Sequence, residues 1–290
     1  MPVKHKYIRQ PEHARISDDL LVGKTRVKPH HEAPIVGEVE VIVDSAVDGK
    51  HIFTKSIKHN ELLVNGAVFI SEKINNIRSG FANLPLDVEV GTHTIDQINR
   101  TVTTIPDEKI CGLVIGNGGN QGVYSAIYPV DRGARVVPGM IPYRVVPLGD
   151  DLNEADRKYY FMRVVRGDYA YYYGKTFDVD REIHVQYEDG TLVQANDESG
   201  ANSDKFIKTF TRYKITVDNR DVREYFKITE GSTLMSFINS VGLVAGYPVT
   251  DEDGNTEYCN VRCLTTLNME NQELKDTEST ITFIYRLFIL

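Results

Sequence analysis

Hydrophobic and polar residues alternate along much of the chain, which is the pattern of β-strands with one buried face. Val39, Val41 and Val43 share one side of such a strand. Asp48-Gly49 then predicts a hairpin turn, because this dipeptide suits the backbone twist that links antiparallel strands. Residues 51–54 return as the second strand of the hairpin. Similar strands, separated by turn residues, are predicted at 159–165, 169–177, 183–187, 206–217, 258–267 and 280–290.

Two other segments carry helix signals. Asp151 can cap a short helix at 153–157, because its side chain can accept from the free N–H groups of a first helical turn. Gly231-Ser232-Thr233 precedes an apolar run and predicts the start of a second short helix near 232–242.

Residues 60–78 fit two structures. Their apolar residues partly match one face of a helix, whereas Asn65-Gly66 is a hairpin dipeptide. Giving weight to the turn signal, we predict a strand, a turn, a second strand and then a helical piece at 71–79.

The segment 280–290 is strongly apolar. Phe283, Tyr285 and Leu287 lie on one face at a spacing of two, and Arg286 is the only charged residue. A strand that is apolar on both faces is expected to be buried on two sides, because an exposed one promotes aggregation. It is therefore central in its own sheet or paired with another subunit. For the second case Phe283, Tyr285 and Leu287 are candidate interface residues.

Together these patterns predict an α+β fold that is predominantly β. We expect antiparallel sheets in sandwich-like lobes, a few short helices and an extended N-terminal arm. The predicted organisation is an arm at 1–37, a β-rich lobe at 38–149 and a second β-rich lobe at 150–290 that contains the helix near 232–242.

Charge separates the arm from the rest of the chain. The first 31 residues carry seven lysines and arginines and three acidic residues, so their formal charge is +4. Since the whole chain has a formal net charge of −8, the remaining residues carry −12. Opposite charges suggest that the arm docks onto a neighbouring copy, although a solvated tail has the same composition. Direct nucleic-acid contact is not expected, since it needs a denser basic cluster with aromatic residues. The candidate interface residues of the arm are Lys4, Lys6, Arg9, Arg15, Arg26 and Lys28.

A second candidate interface is a stripe of tyrosines. Tyr169, Tyr171 and Tyr173 share one face of a predicted strand. Tyrosine offers a large and stiff amphipathic surface, which suits a subunit interface and can also stack on a sugar or a base. The other reading is that the stripe is a half-buried sheet face.

A glycine-rich loop at 116–122 looks like a phosphate-binding loop but departs from the known pattern. A dinucleotide fingerprint requires Gly-x-Gly-x-x-Gly at the start of a helix. Here Gly116, Gly118 and Gly122 miss the last spacing by one, and the residues that follow are strand-like. We therefore interpret the loop as a wide turn between two strands and predict no cofactor.

Potential metal ligands are interpreted as structural residues. Cys259 and Cys263 share a strand face without a second ligand pair, so they are expected to fill the core. Adjacent histidines such as His30 and His31 point opposite ways in an extended chain. We predict no metal site.

Acidic residues are plentiful but their placement favours solvated surface. Glu182, Glu188 and Asp189 stand beside predicted turns, and a glycosidase pair depends on a separation in space that sequence does not give. We assign no catalytic residues and predict a protein that is not an enzyme. No apolar run approaches the length of about 18 residues that predicts a membrane-spanning helix.

Four runs between residues 110 and 160 stand out as a group. Together they resemble virion structural proteins of large tailed bacteriophages. The resemblance implies a particle component built as a ring or lattice, with no catalytic residues. The runs are Cys111-Gly112-Leu113-Val114-Ile115-Gly116-Asn117-Gly118-Gly119, residues 124–132, Ile141-Pro142-Tyr143-Arg144-Val145-Val146-Pro147, and residues 151–159.

The function expected on this basis is that of a structural subunit in a neck, tail, baseplate or capsid-associated position. Its partners would be copies of itself and other virion proteins, and it would be assembled in the host cytoplasm into the virion. The alternative is a carbohydrate-binding or hydrolytic module that uses the tyrosine stripe and the glycine loop.

Overall fold

The computed structural model describes residues 21–22, 25–26, 35–45, 48–58, 61–76, 94–97, 108–120, 127–177, 182–187, 191–194, 206–250, 256–275 and 278–289. The chain divides into two units, 1–34 and 35–290. In chain order the strands are β1 (Leu21–Val22), β2 (Thr25–Arg26), β3 (Ile35–Ser45), β4 (His51–Lys58), β5 (Glu61–Leu62), β6 (Thr94–Gln97), β7 (Lys109–Gly116), β8 (Met140–Ile141), β9 (Arg144–Pro147), β10 (Tyr160–Arg166), β11 (Tyr169–Thr176), β12 (Glu182–Tyr187), β13 (Leu192–Gln194), β14 (Phe206–Asp218), β15 (Phe237–Thr250), β16 (Thr256–Cys263), β17 (Thr265–Glu273) and β18 (Ser279–Ile289). The helices are α1 (Val64–Asn75), α2 (Glu154–Arg157) and α3 (Asn219–Glu230).

Two antiparallel sheets make up the larger unit. The six-stranded sheet has the order β13-β12-β14-β18-β3-β4. The ten-stranded sheet follows the order β5-β17-β15-β7-β11-β10-β6, with β16, β8 and β9 attached to β15, β7 and β11. The prediction of a predominantly β, antiparallel fold with few short helices is therefore confirmed. Both sheets take strands from before and after residue 150, so the two predicted lobes share their sheets.

The main core lies where apolar faces of the two sheets meet. Val41 from β3 and Phe283 from β18 belong to the same buried cluster as Leu113 from β7 and Leu243 from β15. A second cluster lies on the other face of β7 and contains Val114, the neighbour of Leu113. Because β7 is buried on both faces, its sequence is a continuous apolar run rather than an alternating one.

Strand β18 is central in its sheet, between β14 and β3, which answers the question left open by its sequence. Its register pairs Phe283 with Val41 of β3 and with Ile215 of β14. Phe283 and Tyr285 are fully buried, and Leu287 is half-buried against the same core.

The prediction of a helix near 232–242 is wrong. Helix α3 ends at Glu230, before the predicted helix begins, and residues 237–250 form the long strand β15. Gly231 takes a positive φ of 68° and ends α3, whereas the sequence predicts that it precedes a helix. The apolar run that followed it is buried on both sides as a strand, and periodicity does not distinguish such a strand from a buried helix.

The hairpin predicted at Asn65-Gly66 is also wrong, because both residues lie in the first turn of α1. Gly66 is needed there for packing rather than for a turn. A Cβ atom at this position would lie 2.2 Å from the carbonyl oxygen of Leu264.

Other local predictions agree with the structure. Asp48-Gly49 lies in the connection between β3 and β4, with a φ of 66° at Gly49. The predicted short helix is α2, but its cap is Asn153, whose side chain accepts from the N–H of Asp156, and not Asp151. In the described part of the chain, no helix is long and apolar enough to span a membrane.

The arm residues named from sequence mostly lie outside the described residues. This applies to Lys4, Lys6, Arg9, Arg15 and Lys28, while Arg26 lies in β2, paired with Leu21 of β1.

Candidate functional site

The tyrosine stripe lies inside the protein. Tyr171 and Tyr173 are 4% and 7% exposed and belong to the second core cluster, with Tyr169 packed against it. Tyr171 also meets Tyr225 of α3 edge to face, with ring centroids 6.4 Å apart. The stripe is therefore mostly a core surface in this fold, and Tyr171 and Tyr173 are too deeply buried to stack on a sugar or a base.

The described part of the glycine loop, residues 116–120, is closely packed against neighbouring backbone. Asn120 at its end forms a bridge with Ile127, and residues 121–126 between them lie outside the described residues. The backbone N–H groups of residues 117–119 donate within the chain, to the carbonyl oxygens of Gly139 and Pro138 and to Asn239 Oδ1. These donors are therefore not available to a phosphate group.

Cys259, Cys263 and Glu182, which were considered as possible metal ligands or catalytic residues, have contacts that are typical of structural residues. Cys259 and Cys263 are buried, and burial raises the pKa of the Cys263 thiol to about 12. Glu182 accepts from Arg212, and its Oε2 lies 2.9 Å from His184 Nε2. The hydrogen bond with His184 is the largest cause that holds the pKa of Glu182 below its ordinary value. The residues outside the described part are Glu188, Asp189, His30 and His31.

A pocket of about 290 Å³ lies beside the start of β10. Phe161 and Met162 form its inner wall and are packed in the core. Leu152, from the segment before α2, also lines the pocket. Glu154 and Arg157 of α2 and Glu257 of β16 add charged groups, and the remaining lining residues are Tyr160, Arg163 and Tyr172.

The polar groups of the inner wall are held by Asp151. Tyr172 donates to Asp151 Oδ1, and Arg163 donates from Nε to Oδ2 over 3.1 Å. Burial raises the pKa of the Asp151 carboxyl, but the hydrogen bonds from Tyr172 and Arg163 outweigh it, so the pKa lies below its ordinary value. These donors are committed to Asp151, while the charged side chains of Glu154, Arg157 and Glu257 line the pocket beside its apolar residues.

One side of the pocket borders the start of α3. The ring of Tyr160 lies 5.2 Å from that of Tyr172, and the charge of Arg144 partly offsets the rise in the pKa of Tyr160 that burial causes. Arg144 Nε in turn lies 3.8 Å from Asp221 in the first turn of α3. Burial raises the pKa values of both Tyr160 and Asp221. The pocket and the N-terminal end of α3 are thus parts of one polar region.

The turn at residues 231–236, beyond the other end of α3, exposes two large apolar side chains. Leu234 is 91% exposed and Met235 is 52% exposed. Two adjacent apolar side chains on one turn can gain free energy when a partner buries them, so the turn is a candidate contact surface.

Polar contacts hold this turn in place. Arg223 of α3 donates to Thr233 Oγ1 over 3.0 Å and also to the carbonyl oxygen of Leu274. Ser236 donates from its hydroxyl to the Thr233 carbonyl and accepts from the Leu274 N–H at its own carbonyl. The apolar tip therefore stands on a fixed base, which lowers the entropy lost when a partner binds.

One surface group has the connectivity of a proton relay. His51 Nδ1 lies 3.0 Å from Asp44 Oδ1, and His51 Nε2 lies 3.1 Å from Thr54 Oγ1. A hydroxyl, an imidazole and a carboxylate in this order can activate a nucleophile. These residues lie on the exposed hairpin of β3 and β4, away from the pocket, and the His51 side chain is 54% exposed.

Comparisons with known proteins add no relative: no family model, curated protein or solved structure matches the chain. The candidate site therefore rests on geometry. The sequence predicts a helix over Leu234 and Met235 and a helix cap at Asp151. The sequence signal for the exposed turn is Gly231-Ser232-Thr233, because residues of these types also mark the end of one element and a turn before the next.

Proposed function

We propose that the protein is a non-enzymatic structural subunit of a tailed-phage particle that works through oligomeric assembly. The observation that carries this proposal is the fixed turn that exposes Leu234 and Met235. A monomer that acts alone gains nothing from such a surface, whereas a subunit buries it on assembly.

The resemblance to virion structural proteins supports the same function. Its runs supply β7 at the centre of the ten-stranded sheet, the strands β8 and β9, and the pocket residues Leu152, Glu154 and Arg157. The segment that resembles virion proteins therefore contributes both to the centre of the ten-stranded sheet and to the pocket. The proposed location is the virion, in a neck, tail, baseplate or capsid-associated position, after assembly in the host cytoplasm.

The test measures assembly and location together. The full chain is purified, its mass distribution is followed by mass photometry over a range of concentrations, and assemblies are imaged by electron microscopy. Purified phage particles from the source are searched for the chain by peptide mass spectrometry. We expect assemblies with a regular repeat and peptides in the particles. A chain that stays monomeric and does not occur in particles contradicts the proposal.

The competing function is hydrolysis, and the observation in its favour is the Asp44–His51–Thr54 group. If Thr54 is a nucleophile, the chain hydrolyses p-nitrophenyl acetate, and both Thr54→Val and His51→Gln remove the activity. The structural proposal expects the same slow rate for the wild type, both variants and heat-denatured protein. A wild-type rate well above that of both variants would favour the enzyme.

A further inference from the structure

The six-stranded sheet has one face in the core and one face outside it. Val41 of β3 and Phe283 of β18 belong to the main core cluster. Since side chains alternate along a strand, the residues between such core residues lie on the opposite face, here called the outer face. The register pairs Ile284 of β18 with Lys214 of β14 on one side and with Glu40 of β3 on the other.

The charges of the outer face are sorted by strand. Arg212 and Lys214 make the middle of β14 basic on this face, whereas Glu40 and Asp44 make β3 acidic. Like charges that lie side by side on one strand repel each other, so this order does not favour the single chain. Strand β18 separates the basic strand from the acidic one by about 10 Å between their backbones. A second face with the two strands exchanged would therefore place unlike charges opposite each other.

The charged groups of the outer face have capacity left for a partner. The Arg212 and Glu40 side chains are 37% and 21% exposed. Glu40 accepts from Arg286, and a carboxylate has room for further donors. Within the described part of the chain, Lys214 forms no ion pair. The face therefore combines a lysine that lacks a carboxylate with a carboxylate that can accept a second cation.

We propose that the outer faces of two copies pack against each other about a two-fold axis that runs along β18. The proposal rests on the proposed function, because it names a second copy as the partner and the surface through which the subunit associates. The axis places Lys214 of each copy opposite Glu40 of the other copy. It also brings the two Ile284 positions together at the centre of the contact.

The twist of β-sheets is compatible with this pairing. Packed sheets cross at about 30°, and neighbouring strands lie about 4.8 Å apart. Lys214 and Glu40 are one strand away from the axis, so the crossing displaces them by only about 2 Å, which a lysine side chain can span. Positions further along the strands are carried apart. The acidic residues Asp218 and Asp44, which share a register row with Thr280, are therefore not held opposite each other.

A two-fold contact uses the same surface on both copies and closes after two subunits. A larger particle then needs a second contact between dimers. The exposed turn with Leu234 and Met235 lies outside the six-stranded sheet and remains available for that contact. The proposed dimer is thus a building block for the repeating assembly that a particle component requires.

The first experiment reverses one charge at a time. Lys214→Glu and Glu40→Lys each place like charges opposite each other at both symmetric contacts. We expect each change to raise the dissociation constant between copies about 10-fold, measured at low salt by analytical ultracentrifugation. Lys109→Glu, the same change at an exposed position on β7, is the matched control and should associate like the wild type.

Mixing the two variants gives a sharper result. In a heterodimer of Lys214→Glu with Glu40→Lys, each changed residue meets an unlike charge on the other copy. We expect the equimolar mixture to dimerise as tightly as the wild type, at a concentration where either variant alone is monomeric. A mixture of Lys214→Glu with Lys109→Glu should show no such rescue.

Cross-linking tests the contact in the unchanged chain. A carbodiimide, which joins a lysine to a carboxylate without a spacer, is added to a mixture of light and isotope-labelled chains. We expect peptides in which Lys214 of one label is joined to Glu40 of the other. This measurement decides even if Glu40→Lys, which loses the bond from Arg286, does not fold.

Two outcomes overturn the inference. If the wild type assembles, but the charge variants associate equally well and no mixed-label peptide joins Lys214 to Glu40, the contact lies elsewhere and the proposed function stands. If the wild type stays monomeric at the highest concentration, copies do not make this contact. In that case the presence or absence of the chain in purified particles decides separately whether the proposed function also fails.

Discussion

At the scale of single residues, the most unusual feature is the buried Arg262. It is 1% exposed, and its Nε donates to Glu108 Oε1 over 2.7 Å while Nη2 donates to Glu72 Oε2 over 2.8 Å. Its guanidinium also lies over the ring of Phe69, 5.7 Å from the centroid. Burial lowers the pKa of Arg262, but the two glutamates raise it more, so it remains charged. The group ties β16 to α1 and to the residue before β7.

We expect Arg262→Met to destabilise the fold by about 3–5 kcal/mol, because it leaves Glu108 charged and buried without its partner. Denaturant unfolding followed by circular dichroism measures this loss. The double variant Arg262→Met with Glu108→Gln should lose less than Arg262→Met alone, since the unpaired charge is gone. A double variant that is less stable than the single one would show that the pairing is not what Arg262 contributes.

A pH dependence is expected from Asp151. Its pKa in the folded protein lies below the ordinary value, so its interactions stabilise the fold at pH values above the unfolded pKa and are lost as the pH falls through the lowered one. We expect Asp151→Asn to be less stable than the wild type near neutral pH. The difference should shrink on acidification below a pH of about 4, measured by unfolding at several pH values. Asp150→Asn, at an exposed neighbouring position, is the control and should follow the wild type.

At the scale of elements, close packing overrides intrinsic preference. Helix α1 contains Gly66, although glycine weakens a helix by about 1 kcal/mol relative to alanine. The first turn approaches the backbone of Leu264 so closely that a side chain has no room, and the N–H of Leu63 donates to the Leu264 carbonyl. The helix is therefore placed by its contact with the sheet.

Gly66→Ala is expected to lower the melting temperature even though alanine favours helices, because the added methyl group would lie 2.2 Å from a backbone oxygen. A comparison by differential scanning fluorimetry with Gly149→Ala isolates the effect, since a Cβ atom at Gly149 meets nothing within 4 Å. If both variants melt at the wild-type temperature, α1 shifts freely and the packing argument fails.

At the scale of the whole molecule, distant parts of the chain are neighbours. Strand β18 pairs with β3 along its whole length, although the two strands lie near opposite ends of the sequence. Strand β7 likewise pairs with β15. Both sheets therefore form only when the larger unit, 35–290, folds together.

The N-terminal unit can be tested by deletion of residues 1–34, which stops before β3 begins. We expect the shortened chain to keep its melting temperature but to assemble more weakly, because the basic segment and the acidic body attract each other across copies. Assembly of the full chain should weaken as salt rises above 0.1 M, where charges are screened over about 10 Å, and that of the shortened chain should respond less. Equal assembly with and without the segment would argue against a docking arm.

The sequence by itself determined the strand-rich character, the antiparallel pairing, several turns and the burial of the last strand. These features follow from local rules. Apolar residues at every second position, an Asp-Gly turn and a strand that is apolar on both faces favour the same local structure in any fold. The spacing of the glycine loop departs from that of a nucleotide-binding loop, and its described N–H groups donate within the chain, whereas the turn predicted there stays a prediction.

Only the tertiary structure decided which apolar surfaces are covered. Phe283 and Leu234 are both large apolar residues, yet Phe283 is fully buried and Leu234 is almost fully exposed. A pattern shows which side of an element a residue faces, whereas burial depends on what packs against that side. For β18 and β7 the covering strands come from distant parts of the chain, and for the turn after α3 no residue that the structure describes covers the tip. An apolar side chain therefore belongs to the core when other strands pack over it, and to the candidate contact surface when none does.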